Sequence, residues 1–474
     1  MNTDNKTTVV SAQELQLQAE YSYKVGTVLS SRYTHAPLAF VHTYGCQGNV
    51  ADGERIKGML ENMGYRFTDD VSKADLVLYN TCAVREHAQD RVFGNVGKLK
   101  QLKKDKPDMI IALCGCMMQQ QIVSDRIRKS FPFVDIVFGT HVIHRLPEIL
   151  FTALCSGKRV FMTPDEAGCI AEGLAVHRDS DFRAWLPIMY GCNNFCSYCI
   201  VPYVRGRERS RDFDTVVAEA KEIARQGYKE ITLLGQNVNS YNRDKEEKYR
   251  FPALLEAINA IEGDFTIRFM TSHPKDCTNE LLETMARCEK VAKHLHLPFQ
   301  SGNNRVLKAM NRGYTREKYL SLIERAYELM PELSITSDVI VGFPGETYEE
   351  FCDTLSLIEK VRFTSLFTFI FSARPGTVAA DMPDPVSREE KGKWFTQLTD
   401  VQQKIAAQRT ASMDGKTFRV LVEEKSKNEG MLCGRTEGNV VIEFEGEPSL
   451  IGTYREVKVT KALTWTLTGE LVSK

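Results

Sequence analysis

The stretch YGCNNFCSYC, residues 190–199, carries three cysteines at the spacing C-x3-C-x2-C, namely Cys192, Cys196 and Cys199. Burial of three small residues on one helix face is the simplest alternative, but Gly191 and the asparagines after Cys192 disfavour a helix here. A structural zinc site needs four protein ligands, and the chain has no second C-x2-C pair. Iron–sulfur clusters take cysteine thiolates directly. Three thiolates on a four-iron cluster leave one iron open, so the stretch predicts a cluster with an open coordination position.

This cysteine stretch follows the first of six predicted strands that alternate with helical segments. The predicted strands are residues 186–190, 230–234, 266–270, 293–297, 334–341 and 366–371. Six β/α units are too few for a complete (β/α)8 barrel, so we predict a partial (β/α)6 barrel over residues 183–411. In such barrels the site lies at the C-terminal ends of the strands, where the cysteine stretch begins.

A smaller strand–helix alternation precedes the barrel. Its predicted strands are residues 38–43, 75–79, 109–113 and 134–138. They indicate an α/β domain with a parallel sheet over residues 37–157. Cys46 and Cys82 each follow one of these strands, and Cys114 and Cys116 both follow the third. Because the C-terminal ends of neighbouring parallel strands converge, three of these thiols can reach a common point. Three ordinary buried cysteines are the alternative, and the spacing does not choose between Cys114 and Cys116.

The rest of the chain completes the domain plan. Residues 1–36 are polar and predict a disordered or loosely ordered extension, and residues 158–182 indicate a linker. From residue 412 the hydrophobic period changes to two, which predicts a small antiparallel β-barrel over residues 412–474.

Composition indicates an ordinary globular protein of several domains. The chain has 474 residues, 43% of them hydrophobic, and a formal net charge of −1. No apolar run is long enough to span a bilayer, and the N-terminus has no secretory signal pattern. We therefore expect a cytoplasmic location, where the thirteen cysteines are ligands or core residues and not disulfides. The net charge disfavours nonspecific binding of polyanions but allows a local basic groove.

The cysteine stretch, with Tyr198 before its last cysteine and a partial barrel around it, resembles the radical SAM superfamily. The resemblance implies that the open iron chelates S-adenosylmethionine (SAM), whose one-electron cleavage gives a 5′-deoxyadenosyl radical. The motifs YGCQGN (44–49), NTCAVRE (80–86) and CGCMM (114–118) resemble those of the radical SAM methylthiotransferase family. That resemblance continues in order through the barrel to a C-terminal TRAM domain, a small RNA-binding module.

Members of that family hold an auxiliary 4Fe–4S cluster in the N-terminal domain, and the resemblance assigns its ligands to Cys46, Cys82 and Cys116. Cys114 is left out because the family's ligand cysteine precedes a methionine, which is Met117 in this chain. The radical SAM 4Fe–4S cluster is assigned to the three cysteines of the 190–199 stretch.

The chain departs from the family pattern at two positions near the first cysteine motif. Gly48 stands where the family usually has Met, and Gly53 where it usually has Ser. The ligands are unaffected, but the geometry of this loop is left open. Core packing is expected for the other seven cysteines, at positions 114, 155, 169, 277, 288, 352 and 433.

The resemblance also implies which side chains contact SAM and RNA. The implied SAM contacts are Tyr198, Arg205, Gln236, Asn237, Gln300, Ser301 and Gly342. RNA phosphate is expected to contact Arg207, Arg209 and Arg211. The alternate spacing of these arginines with Arg205 predicts that all four share one face of an extended segment. A solvated surface run is the alternative.

The implied activity is insertion of a methylthio group at C2 of N6-isopentenyladenosine at tRNA position 37, with one SAM as methyl donor and another as radical source. No protein acid or base is needed, so the chemistry is expected at the two clusters. Related family members that act on threonylcarbamoyl-adenosine in tRNA, or on an aspartate of ribosomal protein S12, share both cysteine sets. A non-catalytic RNA-binding iron–sulfur protein is the alternative from another class.

The same resemblance implies the partners of the protein. They are the anticodon stem-loop of tRNA carrying the modified A37, a reduced flavodoxin or ferredoxin-type electron donor, and iron–sulfur assembly proteins. We expect a monomer that does not bind membranes.

Overall fold

The computed structural model describes residues 9–83, 86–164 and 168–472. Residues 1–8 of the predicted extension, residues 84–85 of the second cysteine motif and residues 165–167 of the predicted linker lie outside this range. The chain forms two compact units. The first unit comprises Met1–Asp179, Met189–Asn193 and Cys199–Arg211, and the second comprises Ser180–Ile188, Asn194–Tyr198 and Asp212–Lys474.

The helices and strands are numbered here in chain order. The helices are α1 (Ala12–Arg32), α2 (Gln47–Asn62), α3 (Glu86–Asp105), α4 (Gln121–Ser130), α5 (Leu146–Ser156), α6 (Val201–Arg205), α7 (Phe213–Arg225), α8 (Phe251–Asn259), α9 (Asn279–Arg287), α10 (Asn304–Ala309), α11 (Arg316–Leu329), α12 (Tyr348–Val361) and α13 (Arg388–Ala411). The strands are β1 (Leu38–Thr43), β2 (Arg66–Phe67), β3 (Leu76–Thr81), β4 (Ile110–Gly115), β5 (Ile136–Phe138), β6 (Val160–Met162), β7 (Arg183–Pro187), β8 (Met189–Tyr190), β9 (Arg209–Ser210), β10 (Glu230–Leu234), β11 (Thr266–Phe269), β12 (His294–His296), β13 (Ser334–Val341), β14 (Ser365–Ile370), β15 (Thr417–Lys425), β16 (Met431–Thr436), β17 (Val441–Glu445), β18 (Tyr454–Ala462) and β19 (Thr466–Leu471).

The first unit contains a six-stranded sheet in the order β2-β1-β3-β4-β5-β6, with every neighbouring pair parallel. All residues of β3 and β4 are buried, as expected for strands covered on both faces by helices. This confirms the predicted parallel α/β domain. In the same unit β8 pairs with β9 in antiparallel fashion.

The predicted disordered extension is wrong for residues 12–32, which form α1. Ser11 begins this helix by accepting a hydrogen bond from the backbone N–H of Glu14. Val25 and Leu29, one helical turn apart, are buried in a core shared with α5. Only this narrow apolar stripe marks the helix in an otherwise polar stretch, so its stability depends on tertiary packing. The prediction of a linker over residues 158–182 is also wrong for β6 (Val160–Met162), which pairs with β5 and extends the sheet.

The second unit contains six parallel strands arranged as two three-stranded sheets, β7-β10-β11 and β12-β13-β14. A parallel bridge between Ile267 and Val291 joins the two sheets, so the strands form one open series. This confirms the predicted partial (β/α)6 barrel. Helix α12 begins with a capping box between Thr347 and Glu350.

The C-terminal segment of the second unit is a closed barrel in the order β15-β16-β17-β19-β18. The sequence predicted a small antiparallel barrel over residues 412–474. Four of the five strand pairs are antiparallel, whereas β17 and β19 pair in parallel. The Tyr454 hydroxyl donates to the Lys229 carbonyl at 2.6 Å, next to the first residue of β10. The Arg268 guanidinium donates to the Thr436 and Glu437 carbonyls. Among the described helices, none combines the length and the apolar character needed to cross a membrane.

Candidate functional site

Three cysteines of the first unit, the N-terminal set, follow the C-terminal ends of three neighbouring strands. These are Cys46 after β1, Cys82 after β3 and Cys116 after β4. Asn49, in the first turn of α2, accepts from the Cys46 thiol at 3.5 Å and from the Cys116 thiol at 3.7 Å. Gly45 allows the close approach, because a Cβ there would lie 2.3 Å from the Cys82 Cβ. The three thiols therefore meet at one edge of the sheet, as the parallel topology requires.

Cys114 and Cys116 have different surroundings in the structure. Cys114 lies within β4 and packs in the hydrophobic core with Leu78 and Phe138, where burial raises the pKa of its thiol well above the usual value. Gly115 then adopts a positive φ of 96° and turns the chain, and a Cβ on it would lie 2.4 Å from the Thr81 carbonyl oxygen. The turn directs Cys116 out of that core, so Cys116 and not Cys114 joins the other two thiols.

A buried arginine from α6 closes this site. Arg205 donates from Nε to the Cys116 sulfur at 3.0 Å and from Nη2 to Asn49 at 3.1 Å and Asp52 at 2.7 Å. Burial disfavours the charged guanidinium, but the Asp52 carboxylate and the Cys116 and Cys46 sulfurs outweigh that cost and raise the pKa of Arg205. A hydrogen bond from the Cys82 thiol, together with the charge of Arg205, lowers the pKa of Cys46 to about 5, and Cys46 is the exposed member of the set. Burial raises the pKa of Cys116 to about 11 in spite of Arg205.

This donor set fits an iron–sulfur cluster. Thiols from three strand ends converge beside one fixed cation, and a thiolate-ligated cluster needs such charge stabilisation in a buried place. Within the described residues, no group of three His, Cys, Asp or Glu side chains is spaced to hold a single metal ion.

Gly53, which stands where the family usually has a serine, packs against β1, since a Cβ on it would lie 2.6 Å from Thr43 Oγ1.

The central set consists of the three cysteines of the 190–199 stretch. Cys192 and Cys199 belong to the first unit, and Cys196 to the second. Gly191 has a positive φ of 77°, and a Cβ on it would lie 2.1 Å from the Arg207 carbonyl oxygen, so this turn requires glycine. The Cys192 N–H donates to the Gly206 carbonyl at 3.2 Å, which ties the start of the stretch to the arginine-rich segment behind it.

In the second unit a buried arginine contacts the middle cysteine. Arg312 donates from Nη1 to the Cys196 sulfur and to the Tyr198 hydroxyl, each at 3.3 Å. Its other donors reach the Pro298 carbonyl at 2.8 Å and the Tyr314 hydroxyl at 3.2 Å. Burial opposes the charge, yet Tyr198, Tyr314 and Cys196 raise the pKa of Arg312 well above its usual value. Within the described part of the second unit, the guanidinium of Arg312 donates to a sulfur, a carbonyl and two hydroxyl groups, and to no carboxylate.

Polar atoms at successive strand ends of the barrel are buried without a hydrogen-bond partner among the described residues. They are Asn237 Oδ1 after β10, Ser272 Oγ and His273 Nε2 after β11, and Gln300 Oε1 after β12. Burial, Arg312 and Lys275 strongly lower the pKa of His273, so its imidazole is neutral near pH 7. The Lys275 N–H donates to His273 Nδ1 at 3.2 Å, which leaves the proton on Nε2. Such orphaned donors and acceptors fit a polar ligand at this end of the barrel.

The loop after β13 is shaped by a glycine and a buried acid. Gly342 has a positive φ of 70°, and a Cβ there would meet the Lys391 side chain at 2.5 Å. Glu346 accepts from the Gly342 N–H at 2.7 Å and the Phe343 N–H at 3.2 Å. Burial outweighs these hydrogen bonds and raises the pKa of Glu346 to about 7. The loop therefore presents backbone at the strand end while its carboxyl group is turned inward.

The predicted SAM contacts fall into two groups. Asn237 and Gln300 carry two of the orphaned oxygens, and Ser301 is buried beside them with Oγ accepting from the Asn303 N–H at 3.3 Å. Arg205 is different, since its hydrogen bonds go to the N-terminal set. Residues Tyr198, Gln236 and Gly342 lie at the predicted end of the barrel. Direct contact of any of these residues with SAM stays a prediction.

The prediction that four arginines share one face of an extended segment is wrong. Arg207 is exposed, but Arg209 is buried and donates to the Arg205 and Arg207 carbonyls. Arg211 is buried and donates to the Glu172 carboxylate at 2.8 Å. Because α6 ends at Arg205 and β9 begins at Arg209, the segment is not continuously extended. Protein acceptors therefore already occupy Arg209 and Arg211, which the sequence had predicted to contact RNA.

Sequence reasoning missed several residues of these sites. Asn49 stood in a recognised motif but received no role, although its spacing of three from Cys46 places both on one side of the first turn of α2. The polar run Thr271–His273 after β11 is a strand-end signal that was overlooked. Asp52 and Arg312 carried no local signal, because only the tertiary fold brings them to their cysteine sets.

Comparison with known protein families divides the chain in the same way. Residues 186–358 match the radical SAM superfamily, residues 39–139 match the uncharacterized protein family UPF0004, and residues 411–472 match the TRAM domain.

Two bacterial relatives match nearly the whole chain. A protein of Thermoanaerobacter sp. (strain X514), named tRNA-2-methylthio-N(6)-dimethylallyladenosine synthase, is 51% identical over 433 residues, 91% of this chain and 92% of that protein. A protein of the same name from Acetivibrio thermocellus is 47% identical over 473 residues, 99% of this chain and 98% of that protein. Among solved structures, the radical S-adenosylmethionine methyltransferase TsrM from Kitasatospora setae has a similar fold, with a TM-score of 0.54 and 16% identity over 73% of this chain and 75% of that one.

Proposed function

The chain belongs to the family of tRNA-2-methylthio-N(6)-dimethylallyladenosine synthases, and from that premise we propose that it inserts a methylthio group at C2 of N6-isopentenyladenosine at position 37 of tRNA. The observation that carries the proposal is the 47% identity that extends over 99% of the chain, and hence over all three matched domains. The enzyme is thus a radical SAM methylthiotransferase.

The cofactors are two 4Fe–4S clusters and SAM, which when bound supply one-electron chemistry and a methyl group. The N-terminal set holds one cluster, which is supported by the convergence of Cys46, Cys82 and Cys116 around Asn49. The central set holds the other, supported by its spacing and by the position of the stretch after β7. Each set supplies three thiolates, so each leaves one iron for an exogenous ligand.

Residues at the strand ends bind SAM. Asn237 and Gln300 offer buried amide oxygens, and the neutral His273 offers an Nε2–H donor. Acceptors of this kind suit an ammonium group, and donors suit a carboxylate or a ribose hydroxyl. Burial of these groups excludes water and strengthens each hydrogen bond to the ligand. The positive φ of Gly342 turns the loop so that its backbone lies at the strand end, where the ligand binds.

RNA binding is assigned to exposed residues. Of the predicted arginines, Arg207 is the exposed one. The TRAM barrel exposes Trp465, with half of its side chain accessible, close in sequence to the exposed Lys461. Aromatic faces beside cationic side chains are typical of surfaces that stack and neutralise unpaired nucleotides. The target adenine must leave its stack to reach a reactive site, as in other enzymes that act on bases.

The remaining partners follow from the chemistry. A reduced flavodoxin or a ferredoxin-type protein delivers single electrons, and iron–sulfur assembly proteins load the two cysteine sets. We place the reaction in the cytoplasm, where tRNA is modified.

An anaerobic assay of the reconstituted full-length protein tests the function. The substrates are tRNA carrying N6-isopentenyladenosine, tRNA carrying threonylcarbamoyl-adenosine, and ribosomal protein S12. We expect the 2-methylthio nucleoside only with the first substrate, together with 5′-deoxyadenosine. Formation of a methylthio product from either of the other two substrates would show that the proposed substrate is wrong. Absence of 5′-deoxyadenosine with all three substrates would favour a non-catalytic iron–sulfur protein.

A further inference from the structure

Each cysteine set has one buried arginine that donates directly to a cysteine sulfur. Arg205 reaches Cys116 at 3.0 Å in the first unit, and Arg312 reaches Cys196 at 3.3 Å in the second. Both guanidiniums are buried, with 6% and 4% of their residue surface exposed. A hydrogen bond from a fixed cation to a ligand sulfur is one of the levers by which proteins tune a cluster.

The partners of the two arginines differ in charge. Arg205 donates to the Asp52 carboxylate at 2.7 Å, so a negative charge offsets its positive one. Arg312 donates to the Pro298 carbonyl and to the Tyr198 and Tyr314 hydroxyls, which are neutral. No carboxylate pairs with Arg312 within residues 9–83, 86–164 and 168–472. The charge of Arg205 beside Cys116 is therefore offset by its own ion pair, whereas the charge of Arg312 beside Cys196 has no carboxylate partner among the described residues.

This difference has a definite electrostatic consequence. Reduction adds a negative charge to a cluster, and a nearby buried cation stabilises the reduced form and raises its potential. A cation neutralised by an adjacent carboxylate has a much smaller effect, because the two fields nearly cancel at the sulfur. Burial of both guanidiniums strengthens the contrast, because charges are screened less in the protein interior than in water.

We propose that Arg205 and Arg312 are positioning residues that set the reduction potentials of the two clusters, with Asp52 offsetting the charge of Arg205 while the charge of Arg312 acts uncompensated. The inference rests on the proposed assignment of one cluster to each cysteine set. Arg312 raises the potential of the cluster held by Cys196. The Arg205–Asp52 pair keeps the potential of the cluster held by Cys116 low. A single electron from a flavodoxin or ferredoxin-type donor therefore reduces the central cluster in preference, and the donor is oxidised by one electron.

The test measures the midpoint potential of each cluster separately in the full-length reconstituted protein. Replacing the central set by alanine leaves only the N-terminal cluster, and replacing the N-terminal set by alanine leaves only the central one. Each background is titrated with a one-electron reductant and followed by EPR. In the central-cluster background, we expect Arg312→Met to lower the midpoint potential. Arg312→Lys keeps the positive charge, so its midpoint potential should stay close to that of the parent protein.

In the N-terminal background, Asp52→Asn leaves the charge of Arg205 uncompensated and is expected to raise the midpoint potential. The double variant Asp52→Asn with Arg205→Met removes both charges, so its potential should fall below that of Asp52→Asn. Matched controls are Arg159→Met and Arg409→Met, since these arginines donate to backbone carbonyls and, for Arg409, to a tyrosine hydroxyl, but not to cysteine sulfur. Neither control should move a potential.

The outcomes separate this inference from the proposed function. The inference would be overturned if Asp52→Asn and both Arg312 variants had the same midpoint potentials as their parent proteins, with their EPR signals intact. The cluster assignment would then still stand. If either three-cysteine background lacks its remaining cluster signal before any arginine is changed, the cluster assignment itself is wrong.

Discussion

The N-terminal set and the strand-end site of the barrel satisfy their polar groups in opposite ways. Around the N-terminal set, Arg205, Asp52, Asn49 and the Cys116 sulfur satisfy one another in a closed network. At the strand ends, by contrast, donors and acceptors such as Gln300 Oε1 are buried without partners in the described chain. A closed network leaves none of these groups without a partner and so suits a resident cluster. Orphaned polar groups cost free energy until a ligand arrives, and so suit an exchangeable cofactor such as SAM.

The same contrast applies to buried carboxylates. Asp52 is paired with an arginine, whereas Glu346 at the strand-end site is held by two backbone N–H groups and has its pKa raised to about 7. The N-terminal site therefore pairs its buried carboxylate with a cation. The strand-end site holds a carboxyl group that titrates near pH 7 and leaves its polar atoms for a ligand.

The largest effect is expected from removing either cysteine set. Alanine at all three positions of the central set should abolish formation of 5′-deoxyadenosine, because no cluster is left to donate the electron. Alanine throughout the N-terminal set should abolish methylthio insertion but leave part of the SAM cleavage. In each case the iron content should fall from about eight to about four atoms per chain. Chromatography of the SAM products and iron analysis make the measurement. If the second variant retained wild-type activity, the N-terminal cysteines would be structural only.

A sharper version separates two neighbouring cysteines. Cys116→Ala should lose the N-terminal cluster and about half the iron, since this thiol belongs to the converging set. Cys114→Ala is the matched control, and it should keep full iron while lowering the free energy of unfolding by about 1 kcal/mol through a small core cavity. Iron analysis and thermal unfolding of the two purified variants give the answer. Loss of iron in Cys114→Ala with retention in Cys116→Ala would reverse the assignment.

The next effect concerns the pH dependence of stability. Glu346 has a pKa of about 7 in the folded protein and 4.5 as its ordinary value, so the folded state binds the proton more tightly. Stability from this group is complete below pH 4.5 and is lost as the pH rises to 7, a change of about 3 kcal/mol. Glu346→Gln removes this pH dependence of stability. The unfolding midpoint of the variant should therefore rise relative to that of wild type as the pH increases from 5 to 8.

The exposed Glu359 on α12 is the matched control for this measurement. Glu359→Gln should track wild type at both pH values. A constant difference between Glu346→Gln and wild type from pH 5 to pH 8 would show that the carboxyl group titrates normally.

The smallest effect tests the orphaned oxygens. Gln300→Ala removes one acceptor from the strand-end site and should raise the KM for SAM about tenfold with little change in folding, the loss expected for one buried hydrogen bond. Gln402→Ala is the matched control, because Gln402 on α13 also has a buried oxygen without a partner but does not lie at a strand end. Equal KM values for the two variants would argue against a SAM contact at Gln300.

Much of the fold was predictable, because the alternation of short apolar strands with amphipathic helices is a local signal. The strand predicted over residues 38–43 matches β1 at both ends. Helix α1 was not predictable in the same way, since its stability comes from two buried residues packed against a helix more than a hundred residues later. In the C-terminal barrel, β16 and β19 contain glycines that weakened the strand pattern.

At the sites, spacing and family resemblance pointed to the cysteines but not to what surrounds them. The choice between Cys114 and Cys116 depended on the turn at Gly115, which a strand pattern does not show. Arg205 was recognised as important but assigned to SAM, because its pairing with Asp52 links residues far apart in sequence. Contacts of that kind follow from the tertiary fold and leave no periodic trace in the chain.

Nucleoside mass analysis of tRNA is a direct test of the proposed activity. In cells that lack this gene and have no second copy, we expect loss of the 2-methylthio derivative of N6-isopentenyladenosine and accumulation of its unthiolated precursor. The wild-type gene should restore the modification, and a gene carrying Cys116→Ala or Cys196→Ala should not. Persistence of the 2-methylthio nucleoside in the deletion strain, or its restoration by either variant, would show that the proposed activity or its cysteine ligands are wrong.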